Sequence, residues 1–265
     1  MQWIDTHAHI YLDAFDTDRK EMIARSIENG VNKMLLPNID TDSIGPMLEL
    51  SRNFPENCFP MIGLHPTSVK EDYKTQLSVM ESLLNEEKFI AIGEIGIDLY
   101  WDKTFINEQK DAFKTQLRWA KQNQLPVAIH TREAFPLILD LVEEEAGDGL
   151  TGVFHCFSGN YDEAKRIIDL GFMLGIGGVL TYKKSQLPEV IREIPIEFLV
   201  LETDAPFLPP VPHRGQRNES AYIPLIGQKI AEIKELNISE IARITTENAE
   251  RLFRNGSESN PKKTQ

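Results

Sequence analysis

The chain has 265 residues, 41% of them hydrophobic and 26% charged, and its 28 basic against 41 acidic side chains give a formal net charge of −13. This is ordinary globular composition with ample length for a large core, in one domain or two. The acidic balance argues against a broadly basic DNA-binding face, although bound cations can neutralise phosphate locally.

From the N-terminus, short β-rich runs alternate with longer helical patterns. Strands are predicted at residues 3–7, 33–37, 59–64, 90–94, 127–130, 153–157, 172–176 and 199–202. Most are continuous apolar runs rather than strict alternations, which suits parallel strands buried on both faces. Their ends recur every ~19–36 residues, mostly near the length of a βαβ unit. A helix is predicted over 16–29, with Met22, Ile23, Ser26 and Ile27 on one face and Gly30 as its stop. Another over 105–123 places Ile106, Phe113, Leu117 and Ala120 at helical spacing, and Pro126 then leads into a strand. Asn160 or Tyr161 opens a helix that ends at Gly171. The proline-rich stretch 206–212 cannot be regular helix. Helices over 224–236 and 239–253 follow, the second with Ser239 as its N-cap. Polar residues 255–265 read as a flexible tail. With no linker and no internal repeat, the expectation is a single-domain (β/α)₈ barrel of the TIM type over residues 1–254, its chemistry at the C-terminal mouth of the strands.

Cys58 and Cys156 imply no disulfide framework and suit a reducing cytosol. No signal-peptide pattern opens the chain and no apolar run reaches the length of a membrane span. A cytoplasmic protein without membrane association is therefore expected.

Six residues that metals favour close short apolar runs: His7, His9, Glu94, His130, His155 and Asp204. His7 and His9 stand two apart, so on a strand both imidazoles face one side. Asp5 shares that side and could orient one of them. Glu94 lies between Gly93 and Gly96, where the backbone can approach a ligand closely, and its two oxygens can bridge two cations. The bland alternative for Glu94 is a structural pair with Arg132. Asp98 either supports a ligand or caps the loop. His130 and His155 end separate strands and make a natural second site with Glu94 as bridge. Cys156 follows His155 directly and is expected to point away from it as a packing residue. Glu202 and Asp204 share a side, and Asp204 can take a proton from a water within reach; turn chemistry is its alternative. Each residue has such an alternative alone, but none explains all six at strand ends.

The motifs are Asp-Thr-His-Ala-His at 5–9, Gly-Leu-His-Pro at 63–66, Gly-Glu-Ile-Gly-Ile-Asp at 93–98, Ile-His-Thr-Arg at 129–132, Phe-His-Cys-Phe-Ser-Gly at 154–159 and Glu-Thr-Asp-Ala-Pro at 202–206. With them the chain resembles the TatD-like metal-dependent deoxyribonucleases of the amidohydrolase superfamily over nearly its whole length. The loop 213–219 also resembles the family's, with Ser220 where many members have proline. The resemblance implies His7, His9, Glu94 and Asp204 around one divalent cation, and Glu94, His130 and His155 around another. The cations are expected to be Mg, Mn or Zn. It also implies that His65 contacts substrate phosphate or orients water. Arg132 and Arg214 are candidate phosphate contacts, because a guanidinium matches phosphate geometry; surface salt bridges are the alternative for both, and the better reading of Arg217.

The leading expectation is a deoxyribonuclease in which metal-activated water attacks a DNA phosphodiester, with Asp204 and Glu94 as catalytic residues. No aromatic-and-basic stripe of the kind that tracks long single strands is visible, so a terminal or short single-stranded substrate is expected. No obligate protein partner is evident. One alternative keeps the site and changes the bond, to an amide, an ester or the aminoacyl ester of a tRNA. Another is a quality-control partner with a structural metal, which the open His and carboxylate set argues against.

Overall fold

The computed structural model describes residues 1–147 and 149–258. The expected apolar runs form eight strands: β1 Trp3–Asp5, β2 Val31–Leu36, β3 Cys58–Ile62, β4 Ala91–Asp98, β5 Val127–Arg132, β6 Gly152–Phe154, β7 Met173–Ile176 and β8 Leu199–Leu201. They pair in parallel and in sequence order. Backbone bonds just beyond β1 and β8 join the first strand to the last: Thr6 N–H to Leu201 O at 2.9 Å, Asp204 N–H to His7 O at 2.9 Å, and His9 N–H to Ala205 O at 2.7 Å. The result is a (β/α)₈ barrel of the TIM type, as expected.

Nine α-helices wrap the barrel among the described residues: α1 Arg19–Glu28, α2 Thr41–Asn53, α3 Tyr73–Leu83, α4 Ile106–Asn123, α5 Phe135–Glu145, α6 Tyr161–Asp169, α7 Leu187–Glu193, α8 Ile223–Lys234 and α9 Ile238–Glu258. Asn160 caps α6 in a reciprocal capping box with Glu163. The start of α9 differs from expectation. Asn237 Oδ1 accepts from Ser239 N–H at 3.0 Å, so Asn237 is the cap and Ser239 lies inside the helix. The helix also runs on to Glu258, into the segment expected as a tail; the rest of that segment lies outside the described residues.

The apolar residues bury in two layers. Outward-facing side chains of the strands pack under the helices; Trp3 is one, and its ring lies so close to Gly227 of α8 that a Cβ there would meet it at 2.5 Å. Inside the barrel, Ile4, Leu35, Met61, Ala91, Ala128, Val153, Met173 and Val200 form a second core, closed from below by Ala249, Leu252 and Phe253 of α9. Asn248 pins α9 there by donating to Ile196 O and Leu199 O at 2.8 Å each. The lower end is packed with apolar side chains around a smaller cavity of about 260 Å³, and the larger cavity lies at the upper end.

Candidate metal centre

The inward-facing side of each strand turns polar as it reaches the mouth. Ala128 and Val153 belong to the inner core, and two residues on, His130 and His155 face the mouth. On β8 the same step of two leads from Val200 to Glu202 and then to Asp204, which adopts φ 57°. Strand β4 needs one more device. Ala91 lies in the inner core and Ile92 in the outer one, so simple alternation would turn Glu94 outward. The β4–β5 register shifts between Ile92 and Ile95, and Glu94 faces inward while Ile95 takes the outer layer. The flanking glycines serve this packing rather than ligand approach. A Cβ on Gly93 would lie 2.7 Å from Ala128 Cβ, and one on Gly96 would overlap His130 O.

The β1–β8 seam brings His7, His9 and Asp204 together. Asp5 does not orient an imidazole, contrary to expectation. Its carboxylate accepts from Thr203 N–H at 2.9 Å, from Thr203 Oγ1–H and from His7 N–H at 3.3 Å, so it ties the two strand ends below the site. Burial pushes its carboxyl up to about 7 against these hydrogen bonds.

Five imidazoles surround the single carboxylate of Glu94, itself 2% exposed. Its Oε1 lies 2.7 Å from His155 Nε2, 2.9 Å from His130 Nδ1 and 3.2 Å from His65 Nε2. Its Oε2 lies 3.1 Å from His7 Nε2 and 3.3 Å from His9 Nε2. Asp204 Oδ1 joins the second group, 3.6 Å from His9 Nε2 and 3.8 Å from His7 Nε2. The rings of His7 and His155 stack at 3.8 Å between the two groups. Thus each oxygen of Glu94 faces its own donor set. Arg132 plays no part in holding Glu94; its guanidinium lies over the Tyr100 ring at 3.8 Å.

The outer nitrogens decide what each imidazole presents inward. His9 Nδ1 lies 3.0 Å from the Tyr11 hydroxyl, whose hydrogen goes to Pro37 O at 2.7 Å. The Tyr11 oxygen therefore accepts, His9 Nδ1 carries a proton, and in the neutral ring Nε2 turns a lone pair toward Glu94. His130 Nε2 donates to Asp98 Oδ2 at 2.9 Å, so its Nδ1 does the same. His155 Nδ1 faces Glu202 Oε1 at 3.5 Å, with Nε2 inward. His65 is the reverse. Thr67 N–H donates to its Nδ1 at 3.2 Å, so neutral His65 carries its proton on Nε2 and offers an N–H to the site. Lone pairs of His9 and His130 pointing at a carboxylate are acceptors facing an acceptor. Only a positive charge between them, a proton or a cation, makes that arrangement favourable. His, Glu and Asp donors are also the ligand types of open divalent sites, so these residues fit divalent cations.

Without cations the electrostatics follow the same division. Burial alone would raise the Glu94 carboxyl, but His155, His65 and His7 outweigh it and hold it well below the usual carboxylate range. Burial opposes charge on His130 and His155 as well, yet Asp98 and Glu94 raise the first, and Glu94 and Glu202 raise the second. Burial prevails at His7 and His65 and lowers both. It also raises Asp204 to about 6. Asp204 is more open to the cavity than Glu94, its side chain 14% exposed against 3%.

The mouth is a cavity of about 590 Å³ whose lining includes His9, Glu94, His130, His155 and Asp204 together with Arg132, Trp101, Phe207 and Cys156. Cys156 does not point away from the site: φ 46° breaks the strand alternation and places it on the wall, while its N–H bonds to Glu202 Oε1. Arg214 is not among the lining residues; it stacks on Tyr182 at 4.2 Å. Arg217 pairs with Asp18 at 2.6 Å, a structural contact. Sequence reasoning did not single out Tyr11, Thr203, Trp101 or Phe207. The adjacent Tyr100 and Trp101 right after Asp98 were the one available signal, since two large aromatics seldom share a polar loop without a surface to cover.

The family and the fold are shared with known proteins. Residues 4–254 match the family described as TatD related DNase. The chain is 39% identical over 251 residues to the uncharacterized metal-dependent hydrolase YabD of Bacillus subtilis, covering 94% of this chain and 98% of that one. It is 31% identical over 256 residues to the uncharacterized metal-dependent hydrolase YjjV of Escherichia coli, covering 95% and 98%. The crystal structure of YjjV, a TatD homologue, superposes with a TM-score of 0.90 over 95% of this chain and 98% of that one, at 30% identity. At 15% identity, the phosphotriesterase homology protein of Escherichia coli shares the fold, with a TM-score of 0.71 over 95% of this chain and 98% of its own.

Proposed function

The chain belongs to the TatD-related family of metal-dependent hydrolases, and from that premise we propose that it is a deoxyribonuclease cleaving phosphodiester bonds, most readily at single-stranded or terminal DNA. The observation that carries the reading is the division of Glu94: one oxygen faces His7, His9 and nearby Asp204, the other faces His130 and His155. In this reading those six residues would hold two divalent cations. When bound, such cations lower the pKa of water and offset charge on a phosphoryl group.

The chain's own residues supply the rest. Asp204 faces the cavity and accepts the proton of the attacking water on its carboxylate. His65 presents a fixed Nε2–H, suited to a phosphoryl oxygen, because Thr67 N–H holds its Nδ1 as an acceptor. Asp98 holds His130 from behind and fixes which nitrogen it turns inward, and Glu202 stands 3.5 Å from His155 Nδ1. Arg132 stands at the rim with its guanidinium stacked rather than ion-paired, available to a phosphate. Arg214 keeps a supporting place only in binding strand beyond the cavity. A cytoplasmic setting belongs to the same proposal; the described residues contain no helix long and apolar enough to cross a membrane.

The test strips the protein with a chelator, restores Mg, Mn or Zn singly, and assays single-stranded DNA, duplex DNA, aminoacyl-tRNA and a generic ester. The expected result is cation-dependent cleavage of single-stranded DNA, abolished in Asp204→Ala and His155→Ala. Faster turnover of the aminoacyl ester or the generic ester, with DNA untouched, would move the assignment to another bond.

A further inference from the structure

We propose that Trp101 is a stacking platform for an unpaired nucleobase beside the bond to be cut, an inference that rests on the phosphodiesterase reading above. Trp101, 69% exposed, lies at the wall of the cavity that holds Glu94, His130 and Asp204, and its neighbour Tyr100 is 49% exposed, so the loop leaves a large apolar area in water. The other two tryptophans, Trp3 and Trp119, are buried at 2% and 4%.

The loop is not loose decoration. Asp98 Oδ1 accepts from Tyr100 N–H at 2.9 Å and Trp101 N–H at 3.2 Å, while its Oδ2 holds His130 Nε2 at 2.9 Å. One carboxylate therefore holds both the backbone that carries Trp101 and a member of the histidine cluster, which sets where the indole is anchored relative to that cluster. Arg132 supplies the matching charge. Its guanidinium lies 3.8 Å over the Tyr100 ring and 5.3 Å from the Trp101 ring, with no carboxylate within 4 Å among the described residues. Aromatic face and unpaired cation side by side are what a base and its adjoining phosphate require. Across the cavity, Phe207 is 50% exposed and its ring lies 6.3 Å from His9, giving the first donor set an aromatic wall of its own. A base inside a duplex has both faces covered, so the platform selects for unpaired nucleotides without reading their identity.

The test pairs a protein change with a substrate change. Single-stranded oligodeoxynucleotides carry an abasic residue at each of the terminal positions in turn, and KM and kcat are measured for wild type, Trp101→Ala and Trp101→Phe. Trp101→Ala is expected to raise KM on the intact strand by ~10–100-fold, with Trp101→Phe restoring most of the loss. At one abasic position wild type should fall to the level of Trp101→Ala, because either change removes the same contact. A phosphorothioate oligonucleotide should quench indole fluorescence in wild type and leave Trp101→Phe unquenched. If wild type cuts DNA and Trp101→Ala does so with unchanged KM on intact and abasic strands alike, stacking is overturned while the nuclease reading stands. If wild type cuts no oligonucleotide, both fall together.

Discussion

The two ends of this barrel are made by the same strands and obey opposite rules. At the floor, Ala128, Val153 and Val200 join Leu252 and Phe253 of α9 in one apolar cluster. One step of two residues higher, His130, His155 and Glu202 occupy the same inward direction and gather around a buried carboxylate. The floor gains free energy from burial, whereas the mouth buries ionisable groups whose cost is offset only by one another or by cations. Stability is thus concentrated at one end and chemistry at the other, and changes at the two ends should fail differently.

Substituting Glu94→Gln should produce the largest separation. On the proposed two-cation reading, hydrolytic activity should fall by at least ~100-fold. The chelated protein should stay folded with a lower melting temperature, since Glu94 no longer offsets the charge that it favours on His130 and His155. A variant that unfolds while the little that remains folded retains activity would break the contrast. Phe253→Ala is the mirror experiment. It should cost about 3–5 kcal/mol in denaturant unfolding, with turnover per folded molecule unchanged. A comparable loss of turnover would mean that the floor sets the geometry of the mouth.

The contrast also explains what could be read from the residues alone. Eight apolar runs with short spacings were enough for the barrel, and the mouth histidines on β5 and β6 follow from their period of two. The inward turn of Glu94 was not visible as geometry, because the register shift between Ile92 and Ile95 leaves no local signature beyond the two glycines. Asp5 was assigned to an imidazole because its partner Thr203 is 198 positions away, and the closing seam alone makes them neighbours. Cys156 was turned the wrong way because a left-handed φ at a non-glycine residue has no reliable mark in sequence. The exposed aromatic rim stayed hidden for a similar reason: Trp101 and Phe207 belong to loops brought over one cavity only by the closed barrel.

Smaller changes sharpen the comparison. Asp98→Asn leaves shape nearly intact but removes the charge behind His130, so equilibrium dialysis should show ~10–100-fold weaker binding of one cation and little effect on the other. Equal weakening of both would argue against two separable donor sets. The smallest effect is expected outside the histidine cluster, at Asp18. Hydrogen bonds from Arg217 and Arg25 hold its carboxyl well below the usual value of 3.8. Its contribution is therefore present above that value and lost as pH falls through the folded-state value, because the unfolded chain takes up the proton first. Asp18→Asn should lower stability by up to about 1 kcal/mol near neutral pH, with the gap to wild type narrowing in melting curves taken below ~pH 4. A gap that widens on acidification would contradict the ion-pair reading.

The division of Glu94 between two donor sets is tested most directly by anomalous diffraction from crystals loaded with manganese or zinc. The account predicts two peaks, one beside Glu94 Oε2 among His7, His9 and Asp204, the other beside Oε1 with His130 Nδ1 and His155 Nε2, and His65 Nε2 coordinating neither. A single peak at saturating metal, or one ligated by His65 Nε2, would contradict it.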